Sequence, residues 1–241
     1  VEALNRVTRE TGAKIGCFVE VNVGQNRCGV TPGAAVLELV QAIMQYGALL
    51  RFEGLHCYHG LNQHVRSVAE RRQNVLGPVA EAVRNSLGAL SRAGIACKKV
   101  TGGGTGTFPY EVESGLYSEV QPGSFSVLDG DYMRNEWPKD ASHAPIFESS
   151  MCVCATVISR PEVGRAVIDA GTKALDLGSG LPTVLTGCAT YRSGGDEHGI
   201  LDFDARQFPN DEVFSIGSQV LLRPAHCDPT VNMHSHWVCH R

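Results

Sequence analysis

Apolar residues in the first half of the chain alternate between two spacings, which predicts alternating strands and helices. Short runs rich in Val, Ile, Leu and Phe are typical of buried strands, whereas apolar residues three and four positions apart indicate helices. Strands that alternate with helices predict a parallel sheet. The predicted strands span residues 15–23, 50–58, 96–100 and 118–121, and the predicted helices span residues 1–12, 34–46 and 65–93.

Polar residues and glycines follow each of these four strands. In a (β/α)₈ barrel, the loops after the strands build the site. Four strands cannot close a barrel, so residues 1–138 are predicted to form a partial barrel, equivalent to half of a complete one.

The pattern changes near residue 140, where residues 138–145 have the composition of a linker. Short β-rich runs separated by turn signals then predict an all-β domain over residues 139–241. The expected fold is therefore α/β followed by all-β. The predicted strands of this second domain span residues 152–159, 165–169, 183–191, 199–203 and 219–222.

Composition excludes some classes of partner. The formal net charge of the 241 residues is −4 without a basic run, which argues against nucleic-acid binding. We see no apolar stretch of membrane-spanning length and no signal peptide. Nine dispersed cysteines without a CxxC pair indicate reduced thiols, so we expect a cytoplasmic protein. Because the chain opens on Val1 inside a helix-like segment, we also expect a fragment of a longer protein.

Near the end of the chain, residues 224–230 bring together an imidazole, a thiol and a carboxylate. They directly follow a strand-like apolar run. If the strand continues, His226 and Asp228 share one face and Cys227 points away. A nitrogen and oxygen pair suits Zn²⁺ or Mn²⁺, and two protein ligands imply an open site that water or substrate completes. A capped turn is the alternative interpretation, since Asp-Pro-Thr is a good turn sequence.

A second feature is the glycine-rich stretch of residues 101–107, directly after a predicted strand. Glycines let backbone N–H groups approach an anion, and threonine hydroxyls add donors. The stretch predicts a phosphate site, with a flexible turn as the alternative. Arg27, Tyr58 and His59 follow other strands, where they could bind a carboxylate, stack on a planar ring or move protons. Ordinary surface roles remain open for all three.

Together these segments resemble the D-threonine aldolase and D-serine dehydratase family of fold-type III pyridoxal-phosphate enzymes, which is distantly similar to alanine racemase. The resemblance implies an alanine-racemase-like barrel, of which this chain would carry the C-terminal half, and a β domain. It also implies pyridoxal 5′-phosphate, a divalent metal (Mn²⁺ or Zn²⁺), a D-β-hydroxy amino acid as substrate and a homodimer. The matching segments are residues 20–30, 58–60, 63–64, 101–107, 119–124, 169–175, 197–199 and 226–232.

The resemblance also implies roles for single residues. His226 and Asp228 match the family's metal ligands, and the oxygen of Asp228, where D-serine dehydratases have cysteine, favours aldol cleavage. Arg27 matches an active-site arginine. Independently of the resemblance, His59 or His64 is a candidate proton shuttle. The expected cofactor contacts are Tyr58, Gly104, Thr105, Gly106, Thr107, Gly123 and Ser124.

One departure from the family concerns the lysine that binds the cofactor covalently. None of the lysines of this chain lies in the expected motif. A truncated, non-catalytic remnant that binds the cofactor therefore stays open as an alternative. Within the enzyme class, β-elimination of the D-serine dehydratase type and cleavage of 3-hydroxy-D-aspartate also stay open.

Overall fold

The computed structural model describes residues 1–138, 147–207 and 213–239. These form two compact units. The first contains Val1–Gly123 and a segment that begins at Asn135, and the second contains Ser124–Arg134 and the described residues from 147 onward. The predicted linker at 138–145 and the boundary after residue 138 lie almost entirely outside the described residues, so that boundary stays a prediction.

The first unit is the predicted α/β layer. Its four strands are all parallel and adjacent in chain order, β1-β2-β3-β4. Valines and leucines of the sheet, such as Val19 and Leu55, pack against the helices as one buried core. The strands are β1 Ile15–Glu20, β2 Leu50–His56, β3 Val100–Gly102 and β4 Glu119–Val120; the helices are α1 Glu2–Thr11, α2 Ala34–Met44, α3 Val68–Asn74, α4 Ala80–Arg92 and α5 Phe108–Ser114, with a 3₁₀ turn at Leu61–His64.

The long helix predicted over residues 65–93 is interrupted. It begins at Val68 because the Ser67 side chain accepts a hydrogen bond from the Glu70 N–H as an N-cap. A π-helical turn then separates α3 from α4 over Val75–Val79 and contains Pro78, which cannot donate the usual helical bond. The apolar spacing continues across the break because the π-helical turn itself buries Val75 and Val79.

A buried arginine fixes the segment after Asn135 to the first unit. The Arg71 side chain is fully buried, and its guanidinium donates to the carbonyls of Val65, Arg66 and Glu136. It also lies 5.3 Å from the Trp137 ring centroid.

The second unit contains the predicted β domain as one antiparallel six-stranded sheet, in which the strands at 183–184, 219–223, 153–162, 165–168, 199–202 and 190–193 lie side by side in that order. Alternate residues such as Val157, Leu201 and Leu222 form its core. The single strand predicted at 183–191 is two short strands, because the chain turns at Gly187 with φ 69°. The elements are β5 Val153–Glu162, β6 Arg165–Ile168, β7 Thr183–Val184, β8 Thr190–Ser193, β9 Gly199–Asp202, β10 Gln219–Arg223 and α6 Cys227–Asn232, with 3₁₀ turns at Ser124–Ser126, Tyr132–Arg134 and Ala205–Gln207.

Candidate cofactor loop and metal centre

Parallel strands bring the loops that follow them to one edge of the sheet. After β1, the Asn22 Oδ1 atom accepts hydrogen bonds from the N–H groups of Gly24 and Asn26, both at 3.1 Å. This turn exposes Arg27, whose guanidinium carbon lies 6.0 Å from the Tyr58 ring centroid. The structure therefore brings two of the predicted site residues together.

After β2, His59 is held by its own loop. Its Nδ1 accepts a hydrogen bond from the Asn62 N–H at 3.3 Å, and burial lowers the pKa of the ring. A neutral ring that accepts at Nδ1 carries its proton on Nε2. On the Nε2 side lies Gly24, where a Cβ would come within 3.0 Å of that nitrogen.

After β3, the glycine-rich stretch 101–107 is buried throughout and packs closely on the loop after β2. Gln63 holds it in place: its Oε1 accepts from Gly106 N–H at 2.9 Å, and its Nε2 donates to Thr107 Oγ1 at 2.8 Å. A Cβ on Gly104 would lie 2.6 Å from Gln63 Oε1 and 3.2 Å from Tyr58 Cε2. Glycine is therefore required here by the close approach of two loops.

The stretch ends on a buried acid that sequence reasoning missed. Thr107 Oγ1 donates to Glu111 Oε1 at 2.9 Å, and the Glu111 side chain lies inside the unit. Its Oε2 is buried and has no hydrogen-bond partner among the described residues. Burial raises the pKa of Glu111 to about 7. Sequence alone predicts a surface position for a glutamate in the first turn of an amphipathic helix, which is why Glu111 was missed.

After β4, the Gln121 N–H contacts the carbonyls of Gly102 and Gly103 at 3.0 and 2.8 Å. Gly123 is exposed and is the last residue of the first unit's long segment, whereas Ser124 belongs to the second unit, where its carbonyl accepts from the N–H groups of Val127 and Leu128. A role for Gly123 and Ser124 at a phosphate stays a prediction.

The candidate metal pair lies in the second unit, on a different local structure from the one predicted. The strand stops at Arg223, and His226 is the N-cap of α6, so Asp228 lies in the first helical turn. The strand-parity argument was therefore wrong, but a helix N-terminus also brings the two side chains together. Their Nδ1 and Oδ2 atoms are 3.6 Å apart.

A third residue, Asp129, completes the cluster. Its fully buried side chain accepts from the Cys227 N–H at 2.8 Å through Oδ1 and lies 2.7 Å from His226 Nδ1 through Oδ2. The segment around it is paired to residues 224–225 by backbone bonds from Gly130 and Asp131. Asp129 precedes His226 by 97 residues, and nothing in its local sequence marks it as a partner.

This cluster has the chemistry of a metal site. One ligand atom from each of Asp129, His226 and Asp228 lies within 4.8 Å of the others. The hydrogen bond to Asp129 raises the pKa of His226. Cys227 is buried, and burial raises the pKa of its thiol, which is unfavourable for a thiolate ligand. The candidate donors are thus an imidazole and one or both carboxylates, a set that suits Zn²⁺ or Mn²⁺.

The described lysines of the first unit lie away from the loops after its strands. Lys14 immediately precedes β1, while Lys98 and Lys99 precede β3, at the opposite edge of the sheet. Lys173, in the second unit, is exposed and pairs with Glu197. Within the described part of the chain, no lysine takes the position expected for a covalent cofactor bond.

Two family models match the chain. The model described as "Alanine racemase, N-terminal domain" matches residues 1–129, more than half of the chain. The model described as "Putative serine dehydratase domain" matches residues 150–240. Among the described residues, no helix combines the length and apolar character needed to cross a membrane.

Curated relatives and solved structures agree with these models. The chain is 39% identical to a D-threonine aldolase from Arthrobacter sp over 93% of its length, and 35% identical to a 3-hydroxy-D-aspartate aldolase from Paracoccus denitrificans (strain Pd 1222) over 98%. It spans 57% and 59% of those two proteins. The crystal structure of D-threonine aldolase from Filomicrobium marinum matches 97% of the chain with a TM-score of 0.88 and 38% identity, and 61% of that structure is covered. The chain therefore belongs to the alanine racemase-like family that contains D-threonine aldolase and 3-hydroxy-D-aspartate aldolase.

Proposed function

We propose that this chain is part of a lyase that depends on pyridoxal 5′-phosphate and a divalent metal and cleaves D-threonine and related D-β-hydroxy amino acids. The products would be glycine and an aldehyde. The observation that carries the proposal is the cluster of Asp129, His226 and Asp228, which places an oxygen donor beside His226 in a chain 39% identical to a D-threonine aldolase.

The metal centre supports this chemistry through its donors. His226 and Asp228 would hold the ion, and the 74% exposed carboxylate of Asp228 leaves that side open to water or substrate. A bound divalent ion supplies Lewis acidity that lowers the pKa of a coordinated hydroxyl group. Because a carboxylate is a harder ligand than a thiolate, this donor set favours Mn²⁺ over the metals that cysteine selects.

The loops after β1, β2 and β3 fit the cofactor. Pyridoxal phosphate supplies an electron sink for the carbanion left by bond cleavage. Thr105 and the backbone of Gly104 and Gly123 would bind its phosphate. Gly106 and Thr107 would support the loop instead, because the Gly106 N–H and the Thr107 hydroxyl already donate to Gln63 Oε1 and Glu111 Oε1. The close contact of Gly104 with Gln63 and Tyr58 leaves no space for a side chain there, which supports a backbone cradle.

Three side chains would act around the cofactor ring. Tyr58 would pack on the ring, and Arg27, which lies over Tyr58 at 6.0 Å, would bind a carboxylate. His59 would hold or move a proton at Nε2, because Nδ1 already accepts the Asn62 N–H.

We propose the same architecture and assembly for this chain as the family resemblance implies. The four parallel strands would be the C-terminal half of an alanine-racemase-like (β/α)₈ barrel, with a cofactor domain at 1–138 and a β domain at 139–241. The active protein would be a cytoplasmic homodimer. Light scattering coupled to size-exclusion chromatography measures the dimer directly.

The test is a product analysis with the intact gene product that contains these 241 residues. Supplied with pyridoxal phosphate and Mn²⁺, it should convert D-threonine to equal amounts of glycine and acetaldehyde and leave L-threonine unchanged. Formation of ammonia and 2-oxobutanoate instead would assign it to β-elimination of the D-serine dehydratase type.

A second candidate is a protein that binds the cofactor without turning it over. The position of Lys14, Lys98 and Lys99 away from the loops that follow the strands favours it. Borohydride reduction after incubation with pyridoxal phosphate separates the two. If the 241-residue chain binds the cofactor at equilibrium but carries none covalently after reduction, the second candidate is supported for this chain. Cofactor attached covalently to one lysine contradicts it.

A further inference from the structure

We propose that Asp129 is a positioning residue that keeps the proton of His226 on Nδ1 and so reserves Nε2 for the metal. This inference rests on the metal binding proposed above. It assigns a role to a residue that contributes no ligand itself.

The first support is that each carboxylate oxygen of Asp129 has its own hydrogen-bond partner. Oδ1 accepts the backbone N–H of Cys227 at 2.8 Å, and Oδ2 lies 2.7 Å from His226 Nδ1. The side chain has no solvent exposure, so it cannot turn to water. A carboxylate offers only acceptors, and the ring nitrogen that faces it must therefore be the donor.

The second support comes from the distance itself. Two ligands of one ion with bonds of about 2.1 Å usually lie about 3 Å or more apart, because the ion stands between them. Asp129 Oδ2 and His226 Nδ1 are closer than that, at a normal hydrogen-bond length. Direct ligation of one ion by both of these atoms is thus unfavourable, whereas a histidine that donates one N–H to a carboxylate and binds metal through the other nitrogen is a common arrangement.

The third support is that the arrangement is built by the fold. Backbone bonds from Gly130 to Pro224 at 3.1 Å and from Asp131 to Ala225 at 2.9 Å fix the segment around Asp129 beside His226. At the other end, the Thr230 hydroxyl donates to the His226 carbonyl at 2.8 Å. The fold therefore holds the backbone of His226 through Thr230 and its imidazole through Asp129.

Asp129→Asn is the informative variant because the Cys227 N–H fixes the orientation of the new side-chain amide. The amide oxygen must face the Cys227 N–H, so the amide nitrogen faces His226 Nδ1. That ring nitrogen must then accept, and its proton moves to Nε2, where it blocks a metal. Asp131→Asn is the matched control, since Asp131 is a buried carboxylate of the same segment that pairs with Arg134.

The experiment is long-range ¹H–¹⁵N NMR of protein labelled at histidine, metal-free at alkaline pH and then with Zn²⁺. His226 should carry its proton on Nδ1 in both states, with Nε2 shifting on zinc addition. Asp129→Asn should move the proton to Nε2 and weaken zinc binding by roughly tenfold or more, while Asp131→Asn binds as the wild type.

Each outcome decides a separate point. A proton on Nε2 of wild-type His226, or unchanged zinc affinity in a folded Asp129→Asn protein, overturns the inference. The wild-type spectrum alone decides the tautomer if the variant does not fold. A correct tautomer with no response of Nε2 to zinc overturns metal binding at His226, and with it the proposed function, while the orienting contact stands.

Discussion

Gln63 Nε2 donates to Thr107 Oγ1 at 2.8 Å, across 44 residues of sequence. The same amide accepts the Gly106 N–H, and Thr107 in turn donates to Glu111. One side chain after β2 therefore fixes the backbone of the glycine-rich loop after β3. The loop is held in place by a buried polar network, although its composition alone suggests flexibility.

Replacing Gln63 by Leu should destabilise the first unit. The apolar side chain leaves the buried Gly106 N–H without an acceptor, which costs about 1–3 kcal/mol. Urea unfolding measures the free-energy change. Gln121→Leu is the control, since Gln121 is exposed and its change should stay within about 0.5 kcal/mol. Equal stability of the Gln63→Leu and wild-type proteins would mean that the network does not support the loop.

Glu111 should make stability depend on pH. Burial raises its pKa from 4.5 to about 7, so the folded state holds a proton that the unfolded state releases between those values. Stability should therefore fall as pH rises through this window, by up to about 3 kcal/mol. Unfolding midpoints at a series of pH values measure the effect.

Glu111→Gln should remove this part of the pH dependence, because the amide stays neutral. Glu113→Gln on the exposed side of the same helix should retain it. Identical pH profiles for wild type and Glu111→Gln would contradict a buried, proton-holding Glu111.

Asp228→Cys should change the metal preference. A thiolate favours Zn²⁺, whereas a carboxylate suits Mn²⁺. We expect the ratio of Zn²⁺ to Mn²⁺ affinity to rise by about tenfold or more, measured by competition with a metal-binding dye. Asp202→Cys, at a partly exposed residue paired with Arg192, should leave the ratio unchanged. The same ratio in Asp228→Cys and wild type would remove Asp228 from the metal site.

Local sequence predicted the elements well, because apolar runs report which residues become buried. The four parallel strands and the later β-rich runs lie near the predicted positions, with ends shifted by a few residues. The π-helical turn at Pro78 and the split at Gly187 were missed, since each breaks a pattern that continues on both sides.

The sites were predicted less completely. The His226–Asp228 pair was proposed because the two residues are close in sequence, although on the wrong local structure, and its role as a metal site stays a prediction. Asp129 and Glu111 were missed because their roles come from burial and from contacts made by folding. A buried carboxylate far along the chain has the same sequence pattern as one on the surface.

The most direct test of the central claim follows glycine formation from D-threonine while Mn²⁺ is returned to the metal-stripped, intact gene product. We predict that the rate rises with bound Mn²⁺ and reaches a plateau at about one ion per chain, as expected for one His226–Asp228 site. The His226→Ala, Asp228→Ala double variant should gain neither ion nor rate. Full activity in the presence of chelator, or in the double variant, would contradict the account.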